Sequence, residues 1–175
     1  MTIQFSTKNF PQADLQSAKH IKSGLKSLLA QSTDCLVLGY SKQDFEGFAG
    51  SKNAKAKSGV LHELDTLLGG SLTHAKLLGE LDGVQGSACL LKSGPTWSAT
   101  AVKAKRVLLL NVGDQQASSD MGLSAFAKVA RGGLKTLSGG AIENAIWFAP
   151  SLSNSKSAQS IANEVRLTIQ YAGDQ

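Results

Sequence analysis

Positions 105–114 read KRVLLLNVGD, in which Val107, Leu108, Leu109, Leu110 and Val112 form a nearly unbroken apolar run. A segment apolar at both odd and even positions suits a strand covered on both faces, at the centre of an α/β sheet. The run is too short for a typical helix, and Gly113-Asp114 fits a strand leaving the sheet into a loop. Ser118, Ser119 and Asp120 then offer cap side chains ahead of Leu123, Phe126, Ala130, Leu134 and Leu137, which recur near helical spacing. Strand, polar loop and amphipathic helix make one unit of an α/β layer.

The rest of the chain repeats this alternation. Ile3 and Phe5 alternate with polar neighbours and predict a short half-buried strand. Over positions 14–31, Leu15, Ala18, Ile21, Leu25, Leu28 and Leu29 keep helical spacing, with Lys19, Lys22 and Lys26 on the opposite face. A second strand is expected at 35–40. Positions 41–58 turn small and polar, with Lys52, Lys55 and Lys57 close together, and read as a solvated loop. Val60, Leu61, Leu64, Leu67 and Leu68 make a further helical stripe, ended by Gly69-Gly70. Ser71 is placed to cap a short helix running to Leu78. Strands follow at 87–92, at 145–149 (AIWFA, stopped by Pro150), and at 97–103 as a strand or its approach. Positions 151–157 read as a polar linker, and Ile161, Val165 and Ile169 as one face of a last helix at 158–171. Strands alternating with helices predict a three-layer α/β/α sandwich.

Composition adds limits rather than chemistry. At 175 residues the chain suits one domain, able to bury roughly 70% of its unfolded surface without a disulfide or metal staple. Cys35 and Cys89 each sit inside an apolar run, which predicts buried, reduced thiols. Nothing at the start resembles a signal peptide and no stretch approaches the ~18 apolar residues needed to span a bilayer, so a cytoplasmic protein with no membrane partner is expected. Lys and Arg exceed Asp and Glu by 18 to 13, a formal charge of +5. The helix face of Lys19, Lys22 and Lys26, and the strand entrance of Lys103, Lys105 and Arg106, are the places nucleic acid could use. Arginine is confined to Arg106, Arg131 and Arg166, no aromatic is interleaved with the lysines, and acids are spread along the chain, so solvation is the better reading.

The search for reactive groups returns mostly absences. His62-Glu63 opens like H-E-x-x-H, but position 66 is threonine, so the second ligand is missing. His62 and Asp65 share a helix face and read as a surface polar pair; His20 and His74 have no sequence-near partner. Neither a phosphate-binding G-x-x-x-x-G-K-[ST] nor a G-x-G-x-x-G fingerprint occurs. Gly69-Gly70-Ser71 fails the nucleophile-elbow pattern because position 73 is threonine. Gly132-Gly133, inside a helical pattern, suggests close packing of that helix, or else a ligand near its backbone. No catalytic, cofactor-binding or metal-binding residue is assigned.

The ordered segments DCLVLGY, LLGG with SLTHAKLLGELDGVQGSACLL, KRVLLLNVGD and AIWFAP together resemble the N-terminal domain of the leucyl aminopeptidase (cytosol aminopeptidase) family, from about position 33 to 171. The resemblance implies a macro-domain-like fold with a mixed, mainly parallel sheet. It also implies a non-catalytic domain at 1–150, with 151–175 as a linker and the start of a helix leading to a separate catalytic domain. In that family the catalytic domain holds two divalent metals, zinc or manganese, on a lysine and carboxylates including an N-T-D-A-E-G-R stretch. None of that stretch occurs in this chain, so no cofactor is expected in it. By resemblance its partners are that catalytic domain and further copies in a hexamer, and its role is architectural. The alternatives are a macro-type module for an ADP-ribose-like ligand and, third, a nucleic-acid-binding domain.

Overall fold

The structure, a computed structural model, describes residues 25–50, 59–97, 102–113, 132, 142 and 145–148. The strand expected around Ile3, the helix after the central strand and the helix at 158–171 lie outside these residues, with Gly132 alone described, as helical, between them.

Four strands form one sheet: β1 (Cys35–Ser41), β2 (Ala88–Lys92), β3 (Arg106–Gly113) and β4 (Ala145–Phe148), in the order β2-β3-β1-β4. β1 runs parallel to both β3 and β4, while β2 is antiparallel to β3. The sheet is thus mixed and mainly parallel, as the resemblance implies. Leu36 lies opposite Val107 and Leu38 opposite Leu109, so the two most apolar segments of the chain are neighbours at its centre.

The period-two geometry of a strand sorts these residues onto two faces. Leu36, Leu38 and Tyr40 of β1, Val107 and Leu109 of β3, and Cys89 and Leu91 of β2 enter one core. Cys35, Val37, Leu108 and Leu110 enter a second, with Ile142. Burial on both sides explains why the run has no polar alternation. It also makes the sheet the middle of three layers. Each fully buried leucine contributes about 1.5–3 kcal/mol relative to exposure.

The first core is roofed by helical residues Leu25, Leu28 and Leu29 and by three helices, α1 (Lys42–Gly50), α2 (Val60–Leu67) and α3 (Ser71–Leu77). Leu61, Leu64 and Leu67 of α2 and Leu72 and Ala75 of α3 are the buried positions. α1 corrects the reading of 41–58 as loop throughout. Ser41 Oγ accepts from the Asp44 N–H at 3.1 Å, and Asp44 Oδ2 accepts from the Ser41 N–H at 2.8 Å, a reciprocal cap that starts a helix in polar sequence. Phe48 then anchors it in the core. At 97–103, the described residues Trp97, Val102 and Lys103 are not in a strand. None of the described helices is long and apolar enough to cross a membrane.

The junction of α2 and α3 also departs from expectation. Gly69 and Gly70 do end α2, in left-handed conformation at φ +61° and +85°. The Gly70 N–H reaches Asp65 O at 2.8 Å and the Gly69 N–H reaches Thr66 O at 3.4 Å, a Schellman closure. But Ser71 does not cap α3. Its hydroxyl donates to Leu68 O at 2.6 Å, and the cap comes from the preceding helix. Asp65 Oδ1 accepts the N–H groups of Leu72 (2.8 Å) and Thr73 (3.0 Å), and Oδ2 accepts the Thr73 hydroxyl at 2.6 Å. A carboxylate at a helix start satisfies free donors and complements the dipole. Asp65→Ala is expected to lower stability by about 1–2 kcal/mol. A urea-unfolding midpoint unchanged by that substitution would show that the cap carries no weight.

Candidate functional site

Open α/β sheets bind ligands beyond the carboxyl ends of their parallel strands, so that end of β1 and β3 is the place to look first. It carries Tyr40 and Asn111, opposite one another in register, then Ser41 and Gly113. The Tyr40 hydroxyl donates to Asp82 O at 2.7 Å and lies 3.3 Å from Ser87 Oγ. The Gly86 N–H donates to Asn111 O at 2.9 Å and the Asn111 N–H to Ser87 O at 3.0 Å. Asn111 Oδ1 accepts from the Gly113 N–H at 2.8 Å; its Nδ2, also buried, forms no well-aligned hydrogen bond. Burial pushes the Tyr40 pKa up, opposed in part by the Ser87 and Asn111 side chains. A phenol so placed holds its proton at neutral pH. Its bonds fasten the turn at 82–87 onto the sheet, which is positioning of backbone rather than chemistry on a substrate.

The residues singled out in sequence are dispersed. His62 does not pair with Asp65, which is committed to capping α3. The His62 ring packs edge-on against Phe48, with centroids 5.0 Å apart, and its Nε2 is buried without a hydrogen bond. Thr66, which breaks the H-E-x-x-H pattern, donates its hydroxyl to His62 O at 2.9 Å. His62, Asp65, Phe48, Thr73, Lys76 and Leu77 line a depression of about 220 Å³. His74 is exposed on α3 and borders a second, wider depression of about 410 Å³ with Ser71, Glu80 and Lys92. His20 and Gly133 lie outside the described residues, as do Lys19, Lys22, Lys52, Lys55 and Lys57. Gly132 is exposed, and among the described residues nothing comes within 4 Å of a Cβ built on it, so those residues supply no close packing to require glycine there. No group of three or more His, Cys, Asp or Glu able to hold a metal occurs among the described residues.

The basic strand entrance is partly neutralised. Lys105 Nζ contacts Asp34 Oδ1 at 2.6 Å, and Asp34 is nearly buried. Lys92 lies opposite Arg106 across β2 and β3. Cys35 and Cys89 are both buried, free thiols, as their apolar surroundings predict, and burial pushes each pKa up to about 11.

Sequence reasoning passed over two features. The first is Ser41-x-x-Asp44, whose S-x-x-D spacing is a legible helix-start signal. The second is Trp97, whose indole N–H donates to Ser71 Oγ at 2.9 Å and ties the 93–97 turn to α3. No local pattern announces a bond between residues that far apart.

No protein-family model matches the chain. Curated relatives do. A probable cytosol aminopeptidase of Cupriavidus metallidurans is 30% identical over 145 residues, covering 83% of this chain and 23% of that protein. The protein of the same description from Ralstonia nicotianae gives the same identity and coverage. One from Cupriavidus necator is 31% identical over 126 residues, 72% of this chain and 21% of its own length. The chain therefore spans less than a quarter of the length of these relatives. Together with the ordered strand and helix segments, these matches make the chain a relative of the cytosol aminopeptidases over that shared segment.

Proposed function

We propose that this chain is the non-catalytic N-terminal domain of a metal-dependent leucyl aminopeptidase, packing on the catalytic domain and helping to hold a cytoplasmic homo-oligomer, a hexamer by family resemblance. The observation that carries this reading is the segmental match: relatives named as aminopeptidases are covered over 21–23% of their length by most of this chain. The way the described polar groups are used supports it. Asp65, Ser41 and Asp44 cap helices, and Tyr40 and Asn111 fasten a turn. Residues 1–150 would form the domain, macro-like in architecture, and 151–175 would lead toward the catalytic part. Two-metal chemistry would polarise the scissile carbonyl and supply a metal-bound hydroxide. In this reading those metals, zinc or manganese, sit on residues of the catalytic part.

Purified chain incubated with a leucyl-amide substrate and manganese or zinc is expected to release no leucine above the metal-only background. A metal-dependent rate that scales with chain concentration would overturn the proposal.

A further inference from the structure

The turn between α3 and β2 carries Asp82-Gly83, the one place in the chain where an aspartate or asparagine precedes glycine. Such a pair is chemically reactive. The backbone nitrogen after the aspartate can attack the side-chain carboxyl carbon, and glycine has no Cβ to hinder the approach. In a folded chain the local geometry decides whether it does so. Asp82 Oδ1 accepts the Val84 N–H at 2.9 Å, closing a ring that contains the Gly83 nitrogen, so the carboxyl group is folded back over that peptide. Among the described residues no hydrogen bond holds the Gly83 N–H, so none has to break before the nitrogen reacts. The turn is also open to water, with Val84 65% exposed and Gln85 and Gly86 exposed beside it.

We propose that Asp82 is a modification site, isomerising spontaneously through a cyclic imide to a β-linked aspartyl residue. The Gly83 nitrogen bonds to Asp82 Cγ, and its proton leaves with a carboxyl hydroxyl as water. A second water molecule then reopens the imide. Attack at the former side-chain carbonyl restores the ordinary linkage. Attack at the former main-chain carbonyl leaves Gly83 joined through Cγ and turns the old backbone carbonyl into a free carboxylate. No oxidant, reductant or cofactor takes part, and mass and net charge are unchanged.

The position makes the product consequential. The carbonyl that becomes a carboxylate is the one that accepts the Tyr40 hydroxyl at 2.7 Å. Beyond it the main chain gains a methylene, while Gly83 rests against the Phe45 ring and the Gly86 N–H is held by Asn111 O at 2.9 Å. The lengthened turn cannot keep all of these contacts, so conversion loosens it from the carboxyl ends of β1 and β3. Packing also keeps the reactive glycine in place, because a Cβ at Gly83 would be 2.8 Å from Phe45 Cδ1.

The test ages the folded chain at neutral pH and body temperature for several weeks. Beside it runs a synthetic peptide of positions 77–92, the fragment that trypsin releases between Lys76 and Lys92. An isoaspartyl methyltransferase with labelled S-adenosylmethionine measures the β-linked residues, and electron-transfer fragmentation of the tryptic fragment places them. Label in that fragment should build up in the folded chain at a rate within about tenfold of the free peptide's, and it should map to residue 82. Asp82→Glu, whose longer side chain closes such a ring far more slowly, should remove it. Asp82→Asn should raise it, because an amide loses ammonia more readily than a carboxyl loses water. Amide exchange across 82–87 should be faster in converted chains than in unconverted ones. A folded chain below about a tenth of the peptide's rate would mean that the turn holds the carboxyl away from the nitrogen, and overturns the site. Label in the fragment that survives Asp82→Glu overturns it as well, and equal exchange overturns the loosening. None of these results bears on the hydrolysis assay, so the two readings fail separately.

Discussion

Gly69→Ala is expected to cost the fold about 2–5 kcal/mol, while Gly70→Ala costs only about 1–2 kcal/mol. The two glycines are adjacent, and both are left-handed, at φ +61° and +85°. An alanine forced into that region pays about 1–2 kcal/mol for its Cβ at either position. The difference lies in what the Cβ meets. At Gly70 nothing lies within 4 Å. At Gly69 it would overlap the Thr96 carbonyl oxygen outright and lie 2.8 Å from the Thr96 carbon. Backbone cannot rotate aside as a side chain can. The 93–97 turn is also held, because the Trp97 N–H donates to Gly94 O at 3.1 Å and its indole to Ser71 Oγ at 2.9 Å. Making room for the methyl group therefore strains both the Schellman closure and the tryptophan anchor, an overpacking cost of about 1–3 kcal/mol on top of the dihedral penalty. Urea unfolding of the two variants side by side checks this. Equal losses at both positions would mean that the turn moves freely and the close approach constrains nothing.

How much of this was legible in the sequence depended on whether the signal was local. The central strand was, because Leu108 and Leu109 are both apolar and sheet geometry sends them to opposite cores. The same holds for Cys35 to Tyr40 and for the strand at Ala145. α2 was legible through the spacing of Leu61, Leu64 and Leu67, and its end through two consecutive glycines. α1 carries little local signal because its composition is small and polar, with Gly47 inside it, Phe48 as its one buried apolar anchor and Phe45 half-buried beside it. Its only local announcement is the S-x-x-D cap. Ser71 has the residue type of a cap. The structure gives that work to Asp65, six positions earlier in a different helix, a pairing that exists only once α2 and α3 are folded against each other. The strand-end cluster was opaque for the same reason. Tyr40 and Asn111 are 71 residues apart and meet only through the parallel register of β1 on β3. The family resemblance was legible from segment order, because order survives where individual residues differ.

Alkaline pH should weaken this fold through its two cysteines. Cys35 is 0% exposed in one core and Cys89 4% exposed in the other. Desolvation by burial is the main cause of each raised pKa, up to about 11 from an ordinary value of 9.0, opposed at Cys35 by a hydrogen bond with the Leu108 backbone, with neighbouring charges as smaller effects. The folded pKa stands above the unfolded one. As pH passes 9, the unfolded chain gives up thiol protons that the folded chain keeps, so the unfolded state binds fewer protons and stability falls as pH rises. The stabilisation is complete below pH 9 and is lost through pH 11. At about 1.4 kcal/mol per pKa unit, each thiol accounts for roughly 2–3 kcal/mol by the end of that window. The two lie on opposite faces of the sheet, so their contributions should add. Burial also raises the Tyr40 pKa, and a double variant, Cys35→Ala with Cys89→Ala, retains that tyrosine. The measurement is therefore the difference in slope of unfolding free energy against pH between wild type and variant, from 9 to 11. The variant should start less stable, because each truncation leaves a small cavity, and should then decline less steeply. Parallel slopes would mean that the thiols ionise as readily in the folded chain as in the unfolded one. That would place water against β1 or β2, where both cores are closed.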